Sequence, residues 1–302
     1  MSPAAVPDAI VADAGPLGRL PSMSQIQPIV PLTMEGASVL HQMFRIRWDE
    51  WRSVDLTTRA ELVSEAQAWL AARESAAPGA QSAAFAMLGH KGDLLLLHFR
   101  PDFPGLLAAQ LEFSHLRLAE YLEPTNSYLS VVELGLYEST RKIFDELAVR
   151  GLQPGTAEWG QAEQETLDRQ RTAMAARLHP EIPPARYLCF YPMDRRRGEQ
   201  KNWYQESFAE RQRMMHDHGM IGRKYGHVIK QIISGSIGFD DWEWGVDLFS
   251  EDPVAFKQII YEMRYDEASA IYALFGAFFV GLRVPAAGFA GLMSGDAKAA
   301  LA

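Results

Sequence analysis

The chain has one cysteine, Cys189, and lacks any excess of positive charge: 29 Lys and Arg stand against 38 Asp and Glu. A single thiol excludes an intrachain disulfide framework. A lone Cys acts as a small hydrophobe in a reducing compartment, so the expected location is the cytoplasm. The net charge of −9 excludes a broad basic face for nucleic acid or anionic lipid, and any anionic ligand must meet locally clustered arginines. No run approaches the ~18 apolar residues of a spanning helix, and the start "MSPAAVPDAI" lacks the basic and apolar regions of a signal peptide. Membrane insertion is not expected. The stretch "GSIGF" (235–239) has too few glycines for a phosphate loop.

Of the 302 residues, 48% are hydrophobic, enough for a sizeable core. Residues 1–35 are rich in Pro, Ala and Gly and read as a flexible arm. The segment 285–302, built of small residues, reads as a frayed tail.

Between these ends one rhythm occurs twice. In the first half (36–140), a strand near "QMFRIRW" (42–48) precedes a helix opened by Thr58 with Glu61 three residues on, a capping-box spacing. Strands "SAAFAMLGH" and "DLLLLHFR" follow, then a helix introduced by Asp102 and Pro104, then strand "SYLSVVELGLY". The second half (185–284) runs through strand "RYLCFYPM", a helix capped by Ser207 with Glu210, strands "KQIISGSIGF" and "WEWGVDLF", a helix opened by Asp252 and Pro253, and strand "GAFFVGLRV". Each unit resembles a split βαβ, so the fold class is α+β: duplicated ferredoxin-like repeats forming a dimeric α+β barrel. Residues 141–184 form a charged helical connector with a Gly-Pro-Gly break near residue 155.

The run "RMMHDHGMIGRKYG" (213–226) carries two histidines. On a helix, Met214, His218, Ile221 and Tyr225 share one stripe, so His218 points inward. His216 lies roughly 200° around the axis, so the two cannot grip one ion from the same side, and His216 and Asp217 belong to a solvated face. His218 is either a core histidine or a single axial nitrogen for haem iron, and spacing does not separate the two. Strand alternation puts Tyr187, Cys189, Tyr191 and Met193 on one side, with Arg195 following in parity. In the next strand Gln231 is a lone amide in the row Ile229, Ile233, Ile237. It is satisfied by backbone or faces a polar occupant. By residue chemistry alone, Tyr191 could equally be a core phenol and Met193 a gap filler.

The runs "CFYPM" (189–193), "NWY" (202–204), "MMHDHGMIGRKY" (214–225), "QIISGSIGFDDWEWGV" (231–246), "EMRYDEASAIYALFG" (262–276) and "SYLSVVEL" (127–134) resemble the coproheme decarboxylases. These are members of the chlorite dismutase-like superfamily, and the likeness is greatest to the form of Firmicutes-type bacteria, over residues 38–284. The resemblance implies His218 as proximal iron ligand and Gln231 as distal amide, where chlorite dismutases carry arginine. It implies Tyr191 as the radical-bearing tyrosine, Met193 as pocket lining, and Arg177 and Tyr137 as propionate contacts. The family's lysine after "YPM" is here replaced by the run Arg195–Arg197, so its propionate role passes to Arg195 or is lost. A guanidinium binds a carboxylate as a fork and keeps its proton.

The implied reaction is hydrogen-peroxide-dependent oxidative decarboxylation of two propionates of iron-coproporphyrin III (coproheme) to give haem b. The resemblance also implies a homopentamer, and pathway logic implies the coproporphyrin ferrochelatase as partner. The alternatives are a chlorite dismutase-like enzyme or general haem peroxidase, and a non-catalytic haem or coproheme carrier.

Overall fold

The computed structural model describes residues 27–302; most of the proposed N-terminal arm, residues 1–26, lies outside the described residues. The elements are β1 (Thr33–Ile46), α1 (Trp48–Ser53), α2 (Leu56–Glu74), β2 (Ser82–Met87), β3 (Leu94–Arg100), α3 (Phe103–Ser114), β4 (Leu122–Gly135), α4 (Tyr137–Val149) and α5 (Ala157–Leu178). They continue with β5 (Tyr187–Arg195), α6 (Phe208–Lys224), β6 (Lys230–Gly235), β7 (Trp244–Ser250), α7 (Pro253–Met263), α8 (Glu267–Tyr272), β8 (Ala273–Phe275), β9 (Phe279–Val284), α9 (Phe289–Ser294) and α10 (Ala297–Ala300).

The strands pair antiparallel in the order β7-β6-β4-β1-β3-β2-β9-β5, and β5 also pairs with β7, so the sheet closes on itself. The first four strands in sequence run β4-β1-β3-β2 and their counterparts run β9-β5-β7-β6, the same order of fourth, first, third and second. The short β8 is an extra edge on β5. Closure leaves β1 to β7 and β9 with partners on both sides, which removes the exposed edges that would otherwise template aggregation.

Burial explains why "LLLLHF" in β3 is apolar without alternation. One face of β3 looks into the barrel, where Leu95, Leu97 and Phe99 join Val39, Met43, Phe85, Leu188 and Phe190. The other is covered by α2 and α3, where Leu94 and Leu96 pack with Leu62, Leu70 and Phe113. The second half repeats this arrangement, with Cys189, Tyr191, Val246 and Leu248 beneath Phe256, Ile259 and Met263 of α7. Each such side chain, fully buried, contributes roughly 1.5–3 kcal/mol.

The helix caps follow the sequence at Asp102, Ser207 and Asp252, whose side chains accept from the amides of Gly105, Glu210 and Val254. In α2 the cap differs from expectation. Asp55 accepts from the Thr58 amide at 3.0 Å and the helix begins at Leu56, so Thr58 is already inside it. Asp at this position caps as well as Thr, and the competing cap three residues earlier prevails. β1 begins at Thr33, inside the segment expected to be a flexible arm, because its first residues pair with β4 down to Thr33–Gly135. The tail is likewise not frayed. Phe289 and Met293 are 2% and 3% exposed, and Trp51 donates its indole N–H to the Met293 carbonyl at 2.8 Å. The connector is two helices, α4 and α5, separated by Gly151 and Gly155 with φ of 78° and 83°.

Candidate functional site

Strand register defines one outward face of the second half. Tyr191 stands opposite Val246, and Val246 opposite Ile233; Cys189 stands opposite Leu248, and Leu248 opposite Gln231; Met193 stands opposite Trp244, and Trp244 opposite Gly235. Directly opposed residues point to the same side of a sheet, so Tyr191, Met193, Gln231 and Ile233 share a face. Two strands over and two residues along puts Tyr191 about 12 Å from Gln231.

Helix α6 packs against α7 and α8 beside that face, and its Ile221 and Tyr225 join the cluster that holds Tyr191. Ser207 caps the helix, and His218 sits mid-helix with a side chain 24% exposed. His216 and Asp217 are exposed, and Asp217 meets Arg213 at 3.5 Å. His218 Nδ1 lies 3.0 Å from Oδ2 of Asp266, the residue that caps α8. With the Nδ1 proton donated to a carboxylate, the imidazole presents its Nε2 lone pair outward, the arrangement that orients a metal-ligating histidine. Burial raises the Asp266 pKa, but hydrogen bonds and charge from His218 and hydrogen bonds from Ser269 outweigh it and hold the carboxyl below its ordinary value.

One turn further on, Gln231 Nε2 approaches the Gly222 carbonyl at 3.5 Å, the outer limit of a hydrogen bond. Ile233 is 37% exposed on the same strand face, so part of an apolar wall is left uncovered.

Tyr191 is 5% exposed. Phe278 at 4.6 Å and Phe275 at 5.7 Å flank its ring. Burial pushes the phenol well above its ordinary pKa and the charge of Cys189 adds to that, while Arg195 and Arg264 pull it down. Met193 is half-buried in the same cluster. Arg195 is buried: its Nη1 donates to the Ala268 carbonyl at 3.0 Å, its Nη2 meets Met215 Sδ at 3.3 Å, and its guanidinium lies 4.7 Å above the Trp203 ring. Arg195, Arg196, Arg197 and Leu274 line an open depression of about 420 Å³. Tyr137, the first residue of α4 and not the end of a strand, packs 5.4 Å from Phe208 beneath α6.

The fold therefore gathers Tyr137, Tyr191, Met193, Arg195, His218 and Gln231 around α6 and the β5–β7–β6 face. It does not bring Arg177 there. That residue is exposed in the last turn of α5, with Nη1 3.8 Å from Met174 Sδ. The adjoining Leu178 packs so closely on Gly36 of β1 that a Cβ there would collide with its carbonyl, and this anchors the end of α5 to the first half. Three residues escaped the sequence reading. Asp266 hides as a helix cap. Glu243 is 7% exposed and accepts from the Arg195 amide at 2.8 Å. Arg264 ends α7 with its guanidinium 4.7 Å from the Phe275 ring beside Tyr191. The Asp at 266, three residues before Ser269, was a legible cap signal, but its second partner, 48 residues away, was not.

Residues 59–284 match the family model for chlorite dismutase. Similar solved structures include a haem-binding protein from Thermus thermophilus, 38% identical over 88% of this chain and 98% of that one, with a TM-score of 0.75. A mutant chlorite dismutase from Candidatus Nitrospira defluvii is 16% identical over 89% and 98%, with a TM-score of 0.63. The chlorite dismutase of that organism in complex with imidazole is 15% identical over 87% and 95%, with a TM-score of 0.62. The last two likenesses concern the fold alone.

Proposed function

The chain belongs to the chlorite dismutase family, and from that premise we propose that it is a coproheme decarboxylase, converting iron-coproporphyrin III to haem b with hydrogen peroxide as oxidant. The observation that carries this reading is a histidine, His218, held through Nδ1 by Asp266 on the helix whose Gly222 meets Gln231, beside a sheet face that bears Gln231 and a buried phenol, Tyr191. An iron porphyrin fits these residues. His218 offers one nitrogen, Ile233 offers apolar surface, and Arg195 offers a cation in an otherwise acidic chain.

When bound, the iron porphyrin supplies the oxidising power drawn from peroxide; the protein supplies position and hydrogen-atom exchange. His218 would hold the iron, and Asp266 would keep the imidazole proton on Nδ1. Tyr191 exchanges a hydrogen atom with the β-carbon of a propionate. Each propionate that becomes a vinyl group releases carbon dioxide, one proton and two electrons, and one peroxide accepts those electrons and forms water. No acid or base hydrogen-bonds the Tyr191 hydroxyl among the described residues, and burial keeps the phenol protonated. Gln231 does not titrate near neutrality and has no charge to hold an oxyanion, which argues against chlorite as substrate.

The common strand order of the two quartets supports reading the barrel as duplicated ferredoxin-like repeats, a dimeric α+β barrel. The family resemblance extends the proposal to a cytoplasmic homopentamer that receives coproheme from a ferrochelatase. Mass spectrometry of the porphyrin during peroxide titration tests the activity. The expected result is two successive losses of carbon dioxide plus two hydrogens, abolished in Tyr191→Phe. A porphyrin bound but unchanged in mass would make the protein a carrier, and dioxygen evolved from chlorite would make it a dismutase.

A further inference from the structure

Most tyrosines of this chain are covered, but Tyr261 and Tyr265 stand out in solvent, 62% and 73% exposed, and they touch each other. Tyr265 donates its hydroxyl hydrogen to Tyr261 Oη at 3.0 Å, and the ring centroids lie 5.3 Å apart with planes inclined by 69°. It is the one ring contact between two tyrosines among the described residues. Tyr204, the third exposed phenol, has no tyrosine beside it.

The backbone holds the pair together. α7 ends at Met263, where the Arg264 amide donates to the Ile260 carbonyl at 3.2 Å and the Tyr265 amide to the Glu262 carbonyl at 3.0 Å. A spacing of four across this turn keeps both side chains on one face. An exposed phenol that is oxidised gives its proton to water, so neither residue needs a base. Two rings fixed in contact also react with each other ahead of anything in solution, because the second ring is present at an effective concentration far above that of the protein.

We propose that Tyr261 and Tyr265 form an oxidative modification site, at which a one-electron oxidant generated from hydrogen peroxide couples the two rings into a dityrosine. Each phenol loses one electron and one proton. The two radicals form a carbon–carbon bond between ring positions ortho to oxygen, and the hydrogens on those carbons move to the oxygens and restore the phenols. The chain loses two hydrogens in all, and one peroxide takes them up and becomes two waters. The new bond closes a ring through Glu262, Met263 and Arg264, and it ends one residue before Asp266, the partner of His218. Two oxidising equivalents are thereby consumed with no radical left on the surface. The inference stands apart from the porphyrin reading, whose proposed oxidant is the same.

Ligand-free protein treated with hydrogen peroxide and a trace of an unrelated haem peroxidase tests it. The expected product is a monomer with the blue fluorescence of dityrosine, lighter by two hydrogens, with the loss confined to the peptide that carries both residues. Tyr261→Phe and Tyr265→Phe should each lose the monomer's fluorescence, and Tyr204→Phe should keep it. Peptide mapping of wild type decides the site even where a variant folds poorly. Fluorescence carried only by covalent dimers, a mass loss mapped to other tyrosines, or a monomer signal that survives Tyr261→Phe would overturn the proposal. So would an unreacted chain in a solution where added N-acetyltyrosine dimerises.

Discussion

Asp266 serves two masters: Oδ2 lies 3.0 Å from His218 Nδ1, and Oδ1 accepts the Ser269 amide at 3.0 Å to cap α8. Asp266→Asn separates the roles. The Asn carbonyl oxygen still caps the helix, but its NH₂ then faces Nδ1 and forces the imidazole proton onto Nε2, the nitrogen needed by iron. Haem affinity, followed by absorbance titration, is expected to fall about 10–100-fold with little change in melting temperature. An unchanged affinity would remove Asp266 from the site.

The same carboxyl gives a pH signature. Its folded pKa lies below the ordinary 3.8 because the His218 and Ser269 hydrogen bonds prevail over burial. A depressed carboxyl contributes stability that is present above its unfolded pKa and is lost as pH falls through the folded value. Ligand-free wild type should therefore lose this contribution only below about pH 3.8, and Asp266→Asn should lack that component of the acid limb. Parallel acid limbs in melting curves of the two proteins would contradict the linkage.

Tyr191→Phe removes a hydroxyl that forms no hydrogen bond among the described residues, from a ring held by Phe275 and Phe278. Folding stability is expected to change by no more than about 0.5 kcal/mol in urea titration, since no partner is orphaned. Coproheme should still bind. A large loss of stability would show the phenol to be a structural anchor.

Much of this site is local in sequence. The helical and strand periods that bring Ile221 and Tyr225 of α6 into the cluster with Tyr191 are visible in "MMHDHGMIGRKY" and "CFYPM". What the sequence hides is whatever depends on distant partners. The Asp266–His218 contact and the separation of Arg177 from the cluster are set by how α5, α6 and α8 pack. Arg177 looked eligible by charge, but the Gly36–Leu178 contact fixes α5 against the first half. The tail misled for a related reason: small residues suit a frayed end, and they equally suit close helix packing, as Gly288 and Gly291 against Ala300 illustrate.

His98, fully enclosed between Ser82 Oγ at 2.8 Å and Gln42 Oε1 at 3.2 Å, has its pKa pushed down to about 3, chiefly by burial, with Arg100 adding repulsion. The unfolded chain therefore binds this proton first as pH drops. The sign follows: stability from neutral His98 is complete above pH 6.5 and drains away between 6.5 and about 3. Between pH 7 and 5 the group should account for about 2 kcal/mol of lost stability in urea unfolding. His98→Gln, which keeps a polar group but cannot titrate, should flatten that interval relative to wild type. Equal slopes would place the proton elsewhere.

Phe289 is the anchor of the C-terminal helices. It is 2% exposed among Trp51, Trp69, Leu70 and Met293, and the Trp51 indole holds the Met293 carbonyl at 2.8 Å. Truncating a buried Phe leaves a cavity as well as losing transfer energy, so Phe289→Ala should cost about 3–5 kcal/mol. A frayed tail would predict a change near zero, and urea unfolding separates the two by far more than its error. The cluster lies on the first half, against α2, whereas His218 lies against the second. At temperatures where the variant remains folded, its affinity for coproporphyrin should thus match wild type. A variant that lost binding while still folded would mean that the two halves of the barrel are mechanically coupled through the shared interior.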